Sequence, residues 1–241
     1  MKLSQIVIIV SFISLLVSFW NRNDLPGHID PVPTLAKEPL QTSTNKRPFD
    51  LFFKDVEYRV APEYDYDITG MVVSYRHHKH EYSRMHAQAK DHINMLDVCV
   101  IWGDNPGNER LDKISFWNGI FTCNVKTRDQ QAWDAFNMDQ LSNNHLLSDD
   151  EFIRRQVKKI RIGDQIRVRG YLASYSNDGG SERGTSTTRT DTGDGACETI
   201  YVEHFEIAQA ATSKWRIAMW ASLAALLAGL GSFFFKPYKP Y

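Results

Sequence analysis

Two apolar segments, one near each end of the chain, constrain the fold more than any other feature. Residues 6–20 (IVIIVSFISLLVSFW) carry no charge and come after Lys2, and residues 217–235 (IAMWASLAALLAGLGSFFF) are also uncharged. About 20 apolar residues are needed for a helix to cross the roughly 30 Å hydrocarbon core of a bilayer. The sequence therefore predicts two transmembrane helices, over residues 1–20 and 214–236, with the rest of the chain between them.

The first segment also has features of an export signal. A basic residue before a short apolar run is typical of a signal peptide that is removed after export. Ser18, Phe19 and Trp20 make a poor cleavage site, because such sites need small residues, and aromatic rings suit a membrane interface. We therefore predict an uncleaved signal anchor, with a cleaved signal peptide as the alternative.

The side of the membrane that holds the central region is also predicted from this segment. Two spans would put both termini on one side and residues 21–213 on the other. Three basic residues flank the spans on each side, so the positive-inside rule does not choose between the two topologies. Because an export signal carries the downstream chain across the membrane, we predict a two-pass protein of the inner or plasma membrane. Its main domain is then periplasmic or otherwise extracytoplasmic.

The charge of the central region argues against nucleic acid as a partner. Residues 21–213 contain all 29 acidic residues but only 23 of the 28 basic ones, a net charge of −6. A domain that grips nucleic acid through its phosphates usually carries a basic excess. The predicted partners are instead the bilayer, through the two spans, and an envelope protein or an oligosaccharide.

The central region is predicted to consist of a linker and one mainly β domain. Five prolines and the lack of apolar periodicity in residues 21–50 indicate an extended linker, which we place at residues 21–57. The domain is predicted to span residues 58–208. Its strand-like runs lie at residues 65–76, 96–103, 114–127, 165–172 and 199–207. Helical spacing at residues 130–141 and a capping box at Ser148–Glu151 predict helix between the third and fourth runs.

This order of elements resembles the OB-fold. Residues 68–76 (ITGMVVSYR) have a glycine in mid-strand, and residues 162–172 (IGDQIRVRGYL) have a turn, alternating apolar residues and then Gly170. The resemblance implies an OB-like five-stranded barrel with a helical insertion between strands 3 and 4, flanked by the two transmembrane helices. In OB-folds the loops after the first strand and before the fifth commonly frame the ligand face.

Alternating basic residues on the predicted fourth strand mark a candidate binding surface. Arg167, Arg169 and Tyr171 fall on the side opposite to the apolar residues of the same strand. With Trp102 and Trp117 they would form a stacking and hydrogen-bonding surface of the kind that OB-folds use for oligomeric ligands. The alternative is that both tryptophans lie in the core and the arginines are solvated.

A histidine-rich segment is a candidate metal site. Five of the eight histidines lie within residues 77–92. The candidate ligands are His77, His78, His80 and His86. The segment contains no HExxH or other catalytic spacing, so a solvated, pH-sensitive loop is the alternative. We predict no bound cofactor.

The three cysteines contain no CxxC pair, so a structural zinc site is not indicated. One disulfide and one buried thiol are consistent with an oxidising compartment. Because the OB-fold resemblance places the third and fifth strands side by side, it implies a Cys123–Cys197 disulfide.

No catalytic motif is present that would name a reaction or a catalytic residue. We therefore predict a membrane-anchored, extracytoplasmic binding or scaffolding module of the cell envelope that is not catalytic. The alternatives are a metal or haem carrier that uses residues 77–92, or a membrane-anchored hydrolase. Gly229, Gly231 and several alanines in the C-terminal helix would permit a homo-oligomer through this helix, because small residues let helices pack closely in lipid.

Overall fold

A computed structural model describes residues 3–26, 29–78, 89–119, 121–188, 190–191 and 196–235. The chain divides into two compact units, one made of the two ends of the chain and the other of Gly27–Ala211. The helices are α1 (Leu3–Asn21), α2 (Gln130–Asp134), α3 (Glu151–Val157) and α4 (Lys214–Phe235). The strands are β1 (Leu40–Ser43), β2 (Phe49–Phe53), β3 (Val56–His77), β4 (Asn94–Ile101), β5 (Ser115–Asn118), β6 (Cys123–Lys126), β7 (Leu141–Leu147), β8 (Gln165–Asn177), β9 (Glu182–Arg183) and β10 (Cys197–Gln209).

The first unit is a pair of apolar helices. Both α1 and α4 are long and apolar enough to cross a membrane. They contact each other through small residues, since the Ser14 and Ser222 hydroxyl oxygens lie 2.8 Å apart. A Cβ at Gly229 would lie 3.0 Å from Ile8 Cγ1, so glycine at this position permits the close approach of α1. Gly229 is thus used within the chain, and a homo-oligomer through α4 stays a prediction.

The second unit is mainly β, and five of its strands form a closed ring. β3 pairs with β4, β4 with β7, β7 with β10, β10 with β8, and β8 with β3 again. All of these pairs are antiparallel except β7 with β10, which is parallel. β1 and β2 add to β3, and β9 adds to β8. Because each ring strand is paired on both sides, their backbone groups are satisfied within the ring.

Alternation along the ring strands sends apolar side chains into one core. Ile166, Val168 and Leu172 of β8 are each at most 1 % exposed, as the period of two predicts. Gly170 lies between them, and a Cβ there would stand 2.0 Å from the carbonyl oxygen of Tyr201 on β10. Glycine is therefore required where β8 and β10 approach most closely.

The predicted helix after residue 148 is present as α3, with its cap shifted by two residues. The Asp150 carboxylate accepts hydrogen bonds from the backbone N–H groups of Phe152 (2.6 Å) and Ile153 (3.2 Å). Asp150 is thus the N-cap, while the Ser148 hydroxyl accepts a bond from the Asp150 N–H. This capping satisfies donors at the start of the helix, which have no partner within it.

The third ring strand differs from the prediction. Residues 114–127 do not enter the ring; within them β5 and β6 pair with each other as a separate two-stranded sheet. The third ring strand is β7, which begins at Leu141, where the helix predicted at 130–141 was expected to end. The segment Ser142–His145 is buried although all four residues are polar. It therefore lacks the alternation of apolar and polar residues by which a strand is recognised in a sequence.

Part of the predicted linker belongs to the folded unit. β1 and β2 fall within residues 21–57 and pair along β3. Leu35 is 1 % exposed, and the Val32 N–H donates to the side-chain oxygen of Gln165 (2.8 Å). The prolines of residues 21–57 therefore interrupt the secondary structure, but β1 and β2 still pack as part of the folded domain.

Candidate functional site

Three neighbouring ring strands bring polar and sulfur-bearing residues onto one face. In the register of β4, β7 and β10, Asp97 lies opposite His145, and Asn143 lies between Cys99 and Cys197. Side chains directly opposite or diagonal in a sheet are within reach of one another. These residues are far apart in sequence, and only the closure of the ring makes them neighbours.

His145 is held by a buried carboxylate. Its Nδ1 is hydrogen-bonded to Asp97 Oδ1, and the side chains are 5 % and 1 % exposed. His78 Nε2 lies 2.9 Å from the same oxygen. Burial alone would raise the pKa of Asp97, but the hydrogen bond from His145 and the close approach of His78 outweigh it and lower that pKa well below its usual range.

The same interactions hold a proton on His145. Burial would lower the pKa of this imidazole, but the hydrogen bond with Asp97 and the nearby Cys197 side chain outweigh it and raise the pKa to about 9. At neutral pH the buried pair is therefore an imidazolium beside a carboxylate. Nδ1 of His145 is engaged with Asp97, and Cys197 on β10 lies diagonally across the sheet from His145.

Cys197 completes an arrangement of carboxylate, imidazole and thiol. It is the one free thiol among the three cysteines, all of which lie in the described residues, and it is partly exposed. Its Sγ accepts a hydrogen bond from Asn143 Nδ2 (3.3 Å) and donates to the Phe121 carbonyl oxygen (3.2 Å). We refer to Cys197, His145, Asp97, Asn143 and His78 together as the thiol cluster.

Phe121 lies over the thiol cluster in an unusual backbone conformation. Its φ is +60°, in the left-handed region that a bulky side chain rarely adopts. Its carbonyl oxygen also accepts from Asn143 Nδ2 (3.0 Å), and its ring meets the His145 ring edge-on at 5.9 Å. The Arg183 guanidinium lies 3.7 Å above the Phe121 ring. Residues held in such conformations are found at functional sites more often than elsewhere.

The thiol cluster has the parts of a nucleophilic centre. A nucleophile needs a base within hydrogen-bond reach and a third group that orients the base. Cys197 is a diagonal neighbour of His145, and Asp97 orients His145 through a hydrogen bond. Such a centre can attack an electrophilic carbon or an electrophilic sulfur.

The predicted basic surface is divided between two different roles. Arg167 makes a bidentate ion pair with Asp67, with nitrogen–oxygen distances of 3.0 and 2.6 Å, so its donors are engaged within the domain. Arg169 is exposed and lines a groove of about 220 Å³ together with Tyr171. We refer to this cavity as the Arg169 groove, and it is lined by Leu40, Thr42, Asp65, Tyr66, Asp67, Arg169, Gly170, Tyr171 and Glu203.

The Arg169 groove carries both signs of charge. Burial, followed by the hydrogen bond with Glu203, raises the pKa of Tyr171 to about 12. Lys46 Nζ lies 5.5 Å from the centre of the Tyr171 ring and 3.8 Å from a Glu203 carboxylate oxygen. The groove is therefore suited to a polar ligand with several hydrogen-bonding groups.

The two tryptophans predicted for this surface lie elsewhere. Trp102 is fully buried, and its Nε1 donates to Glu38 Oε2 (3.1 Å). Trp117 is 45 % exposed on β5. Neither lines the Arg169 groove. For Trp102 the structure supports the alternative interpretation, in which its ring lies in the core, because the side chain is fully buried.

The histidine candidates are only partly described. His78 is buried against Asp97, whereas His77 ends β3 with its ring 5.3 Å from that of Tyr75. His80 and His86 lie outside the described residues. Among the residues that the structure does describe, no three or more His, Cys, Asp and Glu side chains form a group suited to a metal ion.

The disulfide joins Cys99 to Cys123, with their Cα atoms 5.8 Å apart, and not Cys123 to Cys197 as predicted. The implied pairing required Cys123 to lie on the third ring strand. Cys123 is instead on β6, outside the ring, and the strand beside β10 is β7. Cys197 therefore keeps its thiol.

Sequence reasoning missed the thiol cluster because its members share no local motif. The one local signal is the polar run Ser142–His145 between apolar residues, whose burial requires hydrogen-bond partners elsewhere in the domain. No protein-family model matches the sequence, and no curated protein or solved structure is significantly similar to it. The contacts around Cys197 and the Arg169 groove are therefore the basis for assigning a function.

Proposed function

We propose that the Gly27–Ala211 domain performs covalent chemistry at Cys197, as a membrane-anchored thiol hydrolase or acyltransferase. The observation that carries this proposal is the position of one buried imidazole, which is hydrogen-bonded to a buried carboxylate and lies diagonally across the sheet from the free thiol. In this assignment Cys197 is the nucleophile, His145 moves the proton, and Asp97 orients the ring. The thiol cluster favours the hydrolase alternative over a purely non-catalytic module.

The reaction is set by the order of these groups. The Cys197 thiolate, formed by loss of its proton to solvent, attacks the carbonyl carbon of an ester, thioester or amide beside the His145 imidazolium. The bond from that carbon to the leaving group breaks, and the leaving group takes the proton from His145. Water or a second acceptor then cleaves the acyl–sulfur bond and restores the thiol. Asn143, which donates to the sulfur, stabilises negative charge there.

We also propose that the ring is an OB-like barrel in a two-pass membrane protein whose domain faces the extracytoplasmic side. With the ring strands numbered along the chain, the pairing order is 1-2-3-5-4-1, and α3 lies between the third and fourth. This pattern supports the OB-like assignment. The Cys99–Cys123 disulfide supports an oxidising compartment, because cytosolic thiols are kept reduced. A reporter fused after residue 213 or within a domain loop would test the topology.

The nucleophile is tested by alkylation and by ester hydrolysis. The rate of iodoacetamide labelling at Cys197 is measured by mass spectrometry in the full-length protein, in His145→Gln and in Asp97→Asn. We expect labelling to be at least about tenfold slower in both variants. Burst release from an activated ester or thioester, lost in Cys197→Ser, reports acyl transfer.

The matched control is His204→Gln, because His204 is an exposed histidine on β10. This variant should label as fast as the unaltered protein. Equal labelling rates with and without the His145 imidazole, together with no ester burst, would contradict the proposal.

The Arg169 groove supports a second candidate function, the binding of an envelope protein or oligosaccharide. Its mixed charges and the Tyr171 ring suit hydrogen bonding and stacking with a polar chain. Titration with soluble cell-wall oligosaccharides, monitored by tyrosine fluorescence or calorimetry, tests it. Arg169→Ala and Tyr171→Ala should each weaken binding at least about tenfold, with Arg59→Ala as the exposed control. Unchanged affinity in both groove variants would exclude this surface.

A further inference from the structure

The free thiol and the disulfide lie in one row across the sheet. Cys99 on β4 and Cys197 on β10 are both register partners of Asn143 on β7. Because paired strands lie about 4.8 Å apart, the two cysteine Cα atoms are about 10 Å apart with Asn143 between them. Residues in register point their side chains to the same face of the sheet, so all three do so here.

Cys123 reaches the same place from the neighbouring hairpin. It is bonded to Cys99, and it comes two residues after Phe121. The Phe121 carbonyl oxygen lies 3.2 Å from the Cys197 sulfur and 3.0 Å from Asn143 Nδ2. Two residues span at most about 7 Å of extended chain. The Cys123 backbone therefore lies within about 10 Å of the Cys197 sulfur.

We infer that Cys197 and the Cys99–Cys123 disulfide form a thiol–disulfide exchange relay, in which Cys197 displaces Cys99 from Cys123. The inference rests on the nucleophilic Cys197 of the proposed function and assigns it a second electrophile, the Cys123 sulfur. It gives the domain two covalent forms, one with a Cys99–Cys123 bond and one with a Cys123–Cys197 bond.

The exchange needs no external oxidant or reductant. The Cys197 thiolate attacks Cys123 Sγ, a Cys197–Cys123 bond forms, and the Cys123–Cys99 bond breaks. The electron pair of the broken bond leaves on Cys99 Sγ. That sulfur takes up one proton in place of the proton that Cys197 lost to solvent, so one thiol and one disulfide are present before and after.

The surroundings of the three sulfurs favour attack at Cys123. Cys123 is partly exposed, whereas Cys99 is fully buried and is separated from Cys197 by the Asn143 side chain. Asn143 donates to both the Cys197 sulfur and the Phe121 carbonyl, so it holds the thiol in its present position. In the exchanged form Cys197 no longer has a thiol, and acyl chemistry at this residue stops. The equilibrium between the two forms would then set how much of the protein is active.

The relay is tested with cysteine variants of the full-length protein in detergent. Cys99→Ser leaves Cys123 and Cys197, and treatment with oxidised glutathione should join them, which non-reducing peptide mapping detects. His145→Gln in the same background should slow the joining at least about tenfold. Cys99→Ala repeats the test without a hydroxyl in the core.

The matched control is Cys123→Ser, which leaves Cys99 and Cys197 on either side of Asn143. It should form at least about tenfold less intramolecular disulfide under the same conditions. In the unaltered protein, quenching with N-ethylmaleimide should reveal a Cys123–Cys197 peptide with Cys99 alkylated.

The outcomes separate this inference from the proposed function. Fast, His145-dependent alkylation of Cys197 without any Cys123–Cys197 peptide would overturn the relay and leave the nucleophile intact. Alkylation that is independent of His145 would overturn the proposed function. A Cys99–Cys197 disulfide that forms as readily as Cys123–Cys197 would also overturn the relay. Cys197 would then show no preference for Cys123 over Cys99.

Discussion

His145 on β7 and Asp97 on β4 face each other in register, and Nδ1 of the imidazole is hydrogen-bonded to Oδ1 of the carboxylate inside the domain. Two groups this deeply buried are stable as charges only when they are paired. Removing one partner would therefore leave a buried charge unpaired, and the carboxylate also fixes the orientation of the His145 ring.

Removing the carboxylate should disable the thiol without removing the base. In Asp97→Asn the amide can still occupy the space, but it no longer favours the imidazolium or the orientation of the ring. We expect alkylation of Cys197 at neutral pH to fall at least about tenfold. Stopped-flow labelling measures the rate, and Asp112→Asn is the control because that carboxylate is exposed. A rate equal to that of the control would show that Asp97 does not act through His145.

The stability of the domain should fall as the pH rises from about 6.5 to about 9. The pKa of His145 is raised to about 9, against about 6.5 for an unfolded histidine, so below pH 6.5 the stabilisation is complete. Above about pH 6.5 the unfolded chain loses its proton first, and the contribution disappears as the pH passes about 9. We expect a loss of roughly 2–3 kcal/mol, measured by denaturant unfolding across this range.

The same measurement on His145→Gln gives the control. This variant should be less stable at about pH 6.5 and should show little further loss up to about pH 9. The paired Asp97, whose pKa is lowered, has the opposite sign, so its contribution is lost on the acid side as its pKa is approached. An unchanged pH slope in His145→Gln would contradict the buried ion pair.

Gly170→Ala should distort the ring where β8 meets β10. The added Cβ would stand 2.0 Å from the Tyr201 carbonyl oxygen, and both partners are backbone held in a sheet. We expect a loss of about 1–3 kcal/mol in the free energy of unfolding. Gly107→Ala is the control, since nothing lies within 4 Å of a Cβ at that position. Equal melting temperatures for the two variants would refute the close approach.

Substitution of the two arginines of β8 should have different effects on the stability of the domain. Arg167→Ala removes a bidentate ion pair with Asp67 that is partly exposed, so we expect a loss of stability of about 1 kcal/mol. Arg169→Ala should leave the melting temperature unchanged, because its side chain is exposed. Thermal unfolding of both variants is the measurement. A destabilised Arg169→Ala would assign that arginine to the structure instead of the groove.

Local patterns were sufficient for several elements of this protein. The two apolar runs predicted helices long enough to span a membrane, and α1 and α4 have that length. Alternation in residues 165–172 predicted which side chains of β8 are buried, and Gly170 lies where two backbones meet. The helix start near Ser148 was also predicted correctly to within two residues. Each of these depends on residues close together in sequence.

The thiol cluster was decided only by the tertiary structure. Asp97, His145 and Cys197 lie on three strands that are distant in sequence, and each is an ordinary residue in its own segment. β7 was not recognised as a strand because its buried positions are polar and are satisfied by partners on other strands. The sequence alone determined the two long apolar helices and which side chains of a single strand are buried, because these depend on the length of an apolar run and on the alternation of neighbouring residues. The pairing of strands, the choice of disulfide and the neighbours of Cys197 depend on ring closure, which is a property of the whole domain.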